Sequence, residues 1–174
     1  MIRKTTGNLL NSDAEALVNA VNCVGVMGKG IALQFKQSFP ANYAAYAVAC
    51  KRGEVEPGKM FVFHTNRVQN PRFIINFATK QHWRDKSRLK DIESGLKALI
   101  DVIEEEGIRS VAVPPLGCGN GGLDWGQVRE EIERAFSDVP DVEAQLYEPQ
   151  GAPNAEELKV STARPQRTSG RAAI

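Results

Sequence analysis

Two glycine-rich stretches, residues 25–30 and 117–122, each follow a short apolar run and precede a segment with helical spacing. Glycine lets the backbone approach a ligand closely and turn its N–H groups toward it. A following helix adds the partial positive charge of its N-terminus. For one such loop the alternative is a tight strand-to-helix turn, but two of them predict a site that holds a diphosphate from both sides.

The two loops do not match the common nucleotide-binding motifs. A Walker A loop requires Ser or Thr after its lysine, and here Lys29 is followed by Gly30. The dinucleotide fingerprint requires a third glycine, and Leu33 stands at that position. The sequence therefore predicts a phosphate-binding site of another type.

Lys80 follows the apolar run 73–78 and stands between the two loops in the sequence. A lysine amine that has lost its proton is a nucleophile, provided that its pKa falls below the usual ~10.4. Burial or a nearby cation lowers such a pKa, and Arg84, Lys86 and Arg88 follow closely. From the residues alone, the alternative is an exposed lysine just past the end of a strand.

Aromatic and basic residues stand together shortly after Lys80, in His82, Trp83 and Arg84. An exposed tryptophan is a stacking surface for an unpaired base, so these three residues are predicted to contact DNA. The alternative is a tryptophan packed on the core with solvated neighbours. Asn22, after the first apolar run, is predicted to position a ribose or a modified base, or else to satisfy backbone groups of a turn.

Strand-like and helix-like segments alternate along the chain, which favours a mostly parallel sheet with helices on both faces. Loops at the carboxyl ends of parallel strands line the usual ligand-binding crevice, which would bring both glycine loops and Lys80 together. Strands are predicted at residues 2–6, 16–21, 60–64, 73–78, 110–113 and 142–147. Helices are predicted at residues 31–39, 41–52, 89–106 and 124–136.

The composition is that of one ordinary globular domain of 174 residues with a net charge of +1. Three cysteines without a Cys-x-x-Cys pair argue against a disulfide framework and favour a reducing compartment. With two histidines, a zinc site is not expected, and no metal or cofactor is predicted. The sequence has no membrane-spanning run and no signal-peptide stretch, so we expect a cytoplasmic monomer.

Residues 149–174 differ from the rest because they are rich in Pro, Ala, Ser, Thr and Arg and have no apolar period. We interpret them as a flexible tail, or a linker to a region absent from this chain, after a domain at residues 1–148. A solvated tether is favoured over direct contact with DNA.

Four stretches carry a family resemblance: TTGNLL from residue 5, LVNAVNCVGVMGKGIALQFK from residue 17, FATK from residue 77 and PPLGCGNGGLDW from residue 114. Over residues 1–148 the chain resembles the macrodomains. More narrowly, it resembles the branch that contains the human terminal ADP-ribose glycohydrolase and the bacterial antitoxin DarG, with the DarG type the closer match. The resemblance implies an α/β fold of three layers, α/β/α, around a mixed, mostly parallel sheet.

The resemblance also implies a function. DarG-like proteins are DNA ADP-ribosyl glycohydrolases, which remove ADP-ribose from thymidine in single-stranded DNA and counter a DarT-type toxin. The implied partners are therefore ADP-ribose, ADP-ribosylated single-stranded DNA and a DarT-type toxin. Two alternatives stay open: a non-catalytic ADP-ribose reader, and a glycohydrolase that acts on ADP-ribosylated acidic residues of proteins.

Roles for individual residues follow from the same resemblance. Lys80 would be catalytic, since the matching lysine of the human relative attacks the anomeric carbon of the distal ribose. Asn22 is a further catalytic candidate from its position after the first apolar run and not from the resemblance. Asn8 and Leu9 would lie by the adenine, and Cys118 is interpreted as a small packing residue of its loop. The other implied ligand-binding residues are Gly28, Lys29, Gly30, Ile31, Ala32, Thr79, Pro115, Leu116, Gly117, Cys118, Gly119, Asn120, Gly121, Gly122 and Leu123.

The chain departs from the family pattern at two positions. Asn8 replaces the usual aspartate that accepts from the adenine amino group, although its amide oxygen is still an acceptor. Gly121 stands where the human relative has the aspartate that pairs with its lysine. The second change favours a modified mechanism assisted by the DNA base, water or Asn22. It leaves open that Lys80 orients or protonates rather than forms an adduct.

Overall fold

A six-stranded sheet forms the centre of the computed structural model, which describes residues 1–149. The strands are β1 (Ile2–Thr5), β2 (Ala16–Val21), β3 (Met60–His64), β4 (Phe73–Ala78), β5 (Ser110–Val113) and β6 (Glu143–Tyr147). Their order in the sheet is β1-β6-β5-β2-β4-β3. All neighbours are parallel except β3, which runs antiparallel to β4. The predicted mixed, mostly parallel sheet is confirmed.

Four helices cover the two faces of the sheet: α1 (Gly30–Ser38), α2 (Pro40–Lys51), α3 (Leu89–Glu106) and α4 (Trp125–Phe136). Side chains alternate along each strand, so Ala16 and Val18 pack with α3 and α4, whereas Leu17 packs with Phe35 of α1 on the opposite face. The predicted three layers are therefore present. The helices within the described residues are too short or too polar to cross a membrane.

The ends of the elements follow local chemistry. Asp124 precedes α4 and caps it by accepting from the N–H of Gln127 at 3.1 Å. Gly107 ends α3 in the left-handed region, with φ of 65°. Residue 40 lies between the two helices predicted at 31–39 and 41–52, but Pro40 is the first residue of α2, where its missing N–H costs nothing.

One short element was not predicted, a 3-10 turn at Leu9–Asn11. Asn8 caps it, because its Oδ1 accepts from the N–H of Leu10 at 3.0 Å. The predicted tail or linker, residues 149–174, lies outside the described residues except for Pro149.

Candidate active site

A cavity of about 700 Å³ opens at the carboxyl ends of β2, β4 and β5, a volume suited to a small-molecule ligand. Both glycine loops and the segment that carries Lys80 form its walls. The predicted residues that line it are Asn22, Gly28, Lys29, Gly30, Ile31, Ala32, Thr79, Lys80, Trp83, Arg84, Pro115, Gly117, Gly119, Asn120 and Gly121. Parallel strands that end at one edge explain why residues so distant in sequence meet here.

Seven predicted residues are not among those that line the cavity: Asn8, Leu9, His82, Leu116, Cys118, Gly122 and Leu123. Leu9 packs in the same apolar cluster as Ile31, so its turn adjoins the cavity wall. Cys118 packs against the core, and burial, with a smaller effect of Asp124, raises the pKa of its thiol to about 11. The thiol is therefore protonated at neutral pH, which fits a packing residue.

The first loop takes its shape from Asn22. Its Oδ1 accepts from the N–H groups of Val24 at 3.1 Å and Val26 at 3.4 Å, and from the hydroxyl of Tyr46 at 2.9 Å. Its Nδ2 donates to the carbonyl of Val26 at 2.8 Å. The side chain of Asn22 thus satisfies backbone groups of the turn, as one of the two interpretations of the sequence expected. A direct role of Asn22 on the ligand stays a prediction.

Helix α1 begins at the end of this loop and points its N-terminus at the cavity. Lys29 precedes the helix without a side-chain capping bond, and Gly30 has φ of 56°. Gly30, Ile31 and Ala32 all line the cavity, and the N–H groups of a first helical turn have no partner within the helix. These donors and the helix dipole suit an anionic ligand.

The second loop folds back on itself. Gly117 and Gly122 adopt the left-handed region, and the N–H of Leu123 donates to the carbonyl of Gly117 at 2.9 Å. The N–H groups of Gly119 and Asn120 donate to no other backbone group in residues 1–149. Consecutive free N–H groups of this kind form an anion-binding nest.

Residues 79–88 form a strap that joins β4 to α3 and is bound to Cys23, just before the first glycine loop, and to the second glycine loop. The N–H of Cys23 donates to the carbonyl of Gln81 at 2.8 Å, and the N–H of Ser87 donates to the carbonyl of Gly121 at 3.0 Å. The strap therefore crosses between the two loops and carries Lys80, Trp83 and Arg84 along the cavity wall.

Lys80 is half-buried in this wall. Burial lowers the pKa of its amine, and the ammonium group of Lys86 lowers it further, whereas the carboxylate of Asp85 partly opposes both effects. Of the three cations considered from the sequence, Lys86 is the one that acts on this pKa. A lowered pKa increases the neutral, nucleophilic fraction of the amine.

The charged residues that line the cavity are all cations: Lys29, Lys80 and Arg84. No carboxylate belongs to the lining contributed by the described residues. The absence of an aspartate at residue 121 agrees with the space available there. A side chain on Gly121 would overlap the Ser87 Oγ and the carbonyl oxygen of Gly117. The loop in this form has no room for an aspartate at residue 121.

Trp83 stands at the mouth of the cavity with 43% of its surface exposed, so it is not packed into the core. The Arg84 guanidinium carbon lies 4.6 Å from the centre of its ring, and the His82 ring lies 5.1 Å away. The carboxylate of Asp85 accepts from the N–H of His82 at 3.0 Å and holds this turn. An exposed ring with an adjacent guanidinium is a surface on which a base can stack.

Five cavity residues were not predicted: Ala20, Val21, Val26, Ser87 and Pro114. Two of them end β2, and the rule that ligands bind at the carboxyl ends of parallel strands would have included them. The sequence did not indicate that Ser87 belongs to the site, because this residue stands in a polar segment between Lys86 and Arg88.

Comparison with known proteins agrees with this geometry. The family model of the Macro domain matches residues 18–132. The chain belongs to the macrodomain family. Its fold superposes on the macrodomain of Mycobacterium tuberculosis DarG with a TM-score of 0.85 and 59% identity, over 86% of this chain and 99% of that one.

Two longer relatives contain a similar macrodomain. The DNA ADP-ribosyl glycohydrolase of Mycobacterium tuberculosis is 58% identical over 89% of this chain, which spans 44% of that protein. The structure of Thermosipho africanus DarTG in complex with ADP-ribose has a TM-score of 0.81 and 34% identity, over 89% of this chain and 43% of that one. The chain thus spans less than half the length of these relatives.

Proposed function

We propose that this macrodomain is the catalytic part of a DNA ADP-ribosyl glycohydrolase that removes ADP-ribose from thymidine in single-stranded DNA. The observation that carries the proposal is the position of Lys80, whose pKa is lowered, in a cavity between two anion-binding loops. The name of the Mycobacterium tuberculosis relative supports the reaction, and the ADP-ribose complex of the Thermosipho relative supports the ligand.

ADP-ribose fits the polarity of the cavity. The free N–H groups at the start of α1 and at Gly119 and Asn120 would hold the diphosphate from two sides. Lys29 adds a positive charge beside it. The adenine would extend toward the turn of Asn8 and Leu9, which adjoins Ile31 at the cavity wall.

The distal ribose would then lie by Lys80. In the proposed reaction the neutral amine bonds to the anomeric carbon while the glycosidic bond to thymine breaks, through an oxocarbenium-like transition state. The electron pair leaves with the base, which takes a proton from water. Water then hydrolyses the amine–ribose bond. The cavity lining of the described residues offers no carboxylate for these proton transfers, so water and the base carry the protons.

The mouth of the cavity supports a nucleic-acid substrate. Trp83, with His82 and Arg84 beside it, would stack on a base next to the modified thymidine. Stacking of this kind requires bases that are not paired, which favours a single strand. The cations of the cavity favour the anionic substrate over a neutral one.

The biological setting is proposed from the relatives as well. One relative, from Thermosipho africanus, is named as a fusion of a DNA ADP-ribosyl transferase and a DNA ADP-ribosyl glycohydrolase, which supports a role as antitoxin to a DarT-type toxin. We propose that residues 1–148 form the macrodomain, that residues 149–174 link it to a further region, and that it acts as a monomer in the cytoplasm.

Turnover of a single-stranded oligonucleotide with one ADP-ribosylated thymidine tests the proposal. We expect the wild-type chain to release ADP-ribose and Lys80→Ala to be slower by at least about a hundredfold. Lys97→Ala is the matched control, because Lys97 is an exposed lysine of α3 away from the cavity. Intact substrate at high concentrations of wild-type protein would refute the reaction.

The same assay separates the alternatives. A reader would bind ADP-ribose in calorimetry without releasing it from DNA. A glycohydrolase of the protein-directed class would release ADP-ribose from a glutamyl-linked peptide and leave the oligonucleotide unchanged. Full activity of Lys80→Ala would refute only the role given to the lysine.

A further inference from the structure

Ser87 is a buried residue in an exposed part of the strap. Its neighbours Lys86 and Arg88 are exposed, but Ser87 itself is only 6% exposed. A Cβ atom on Gly117 would lie 3.0 Å from the Cβ of Ser87, and one on Gly121 would overlap the Ser87 Oγ. Since Gly121 is not one of the glycines with positive φ, space and not backbone conformation accounts for a glycine there.

The hydroxyl of Ser87 has no hydrogen-bond partner within the described part of the chain, although it is fully enclosed. A buried polar group without a partner is rare in folded proteins and needs an explanation. Ser87 also lines the cavity, as do Arg84 of the strap and Gly121 of the second loop. The missing partner is therefore to be sought among the groups that fill this cavity.

We propose that Ser87 is a ligand-binding residue whose hydroxyl donates to a diphosphate oxygen held by the second loop. The inference rests on the proposed function, in that the ligand is ADP-ribose. Serine has three staggered rotamers, and a change of χ1 turns the enclosed hydroxyl toward the cavity. A phosphate oxygen is the expected acceptor because the second loop, which packs against Ser87, carries the N–H groups of Gly119 and Asn120, which have no backbone acceptor within residues 1–149 and suit an anion.

This bond would join the strap to the ligand. Ser87 already donates its backbone N–H to Gly121, so ligand, second loop and strap would be held together at one point. Lys80 lies on the same strap, and its distance from the distal ribose would therefore depend on the diphosphate being in place.

Calorimetry on the whole chain with ADP-ribose and with ADP, together with thermal unfolding, tests the proposal. We expect Ser87→Ala to weaken both ligands about tenfold, because a hydrogen bond to a charged oxygen is lost. The Tm of the free protein should stay equal or rise, since alanine removes an unpaired buried hydroxyl. Ser94→Ala is the control, because the Ser94 hydroxyl donates to its own helix at Lys90.

Unchanged affinity of Ser87→Ala for both ligands would overturn the proposal. So would a weaker affinity for ADP-ribose with an unchanged affinity for ADP, because the acceptor would then be the distal ribose. A lower Tm would indicate a packing role instead. Because these measurements do not use turnover, a wild-type chain that binds ADP-ribose but leaves modified DNA intact would refute the proposed function alone.

Discussion

The backbone N–H of Cys23 donates a 2.8 Å hydrogen bond to the carbonyl oxygen of Gln81, next to Lys80. The thiol of Cys23 also contacts the carbonyl oxygen of Lys80, at 3.4 Å. Burial raises the pKa of this thiol to about 12, so it stays protonated and donates. The backbone around Lys80 is therefore bound to Cys23, which stands two residues before the first glycine loop.

The pH dependence of kcat/KM distinguishes the possible roles of Lys80. Its pKa is lowered by burial and by Lys86 and raised by Asp85. If the neutral amine is the active form, activity increases as the pH rises through this pKa. Lys86→Gln then raises the pKa of Lys80 and moves the increase in activity to higher pH. Asp85→Asn lowers this pKa and moves the increase to lower pH, and the asparagine oxygen can still accept from the N–H of His82.

Rates of both variants across a pH series, at saturating and at low substrate, provide the measurement. Activity that falls instead of rising as the pH passes through this pKa would mean that the protonated amine is active and that Lys80 orients or protonates. Lys90→Gln, an exposed lysine at the start of α3, serves as the control for a general loss of positive charge.

Asn22→Ala is expected to weaken ADP-ribose binding and lower the free energy of unfolding together. Alanine leaves the N–H groups of Val24 and Val26 without their acceptor, at a cost of about 1–3 kcal/mol. Chemical denaturation and calorimetry measure the two effects. A variant with wild-type stability and affinity but a reduced kcat would instead assign Asn22 a role on the substrate.

The strands and the longest helix could be predicted from the sequence because local patterns determine them. The apolar runs 16–21 and 73–78 are strands with those bounds, and α3 follows its apolar spacing up to Gly107. The rule about strand ends also brought Lys80 to the two loops. Contacts between distant segments could not be predicted, since no local pattern encodes them. Ser87, for example, is buried and lies against Gly117 and Gly121 of the second loop.

Gly121→Ala is expected to destabilise the protein by about 1–3 kcal/mol, because its methyl group would overlap the carbonyl oxygen of Gly117 and the Ser87 hydroxyl. Gly119→Ala is the matched control, since a Cβ there meets no atom within 4 Å. Thermal unfolding of the pair measures the difference. Equal Tm values would show that the second loop can open to accept a side chain at residue 121.

The same overlap has a consequence for the mechanism. Gly121→Asp restores the carboxylate of the human relative in sequence but should not increase turnover, because the loop must move to hold it. We expect lower affinity for ADP-ribose and slower release from the oligonucleotide. Faster turnover in this variant would contradict a mechanism in which water and the base carry the protons.

Trp83→Ala is expected to reduce kcat/KM for the modified oligonucleotide by about tenfold, in line with a stacking energy of about 1–3 kcal/mol per base. Trp83→Phe should retain most of the activity, since a phenyl ring still stacks. The affinity for free ADP-ribose should change little in both variants. Parallel assays on the oligonucleotide and on a single ADP-ribosylated thymidine nucleoside locate the contact. An equal loss on both substrates would mean that Trp83 contacts the modified thymidine itself and not a neighbouring base.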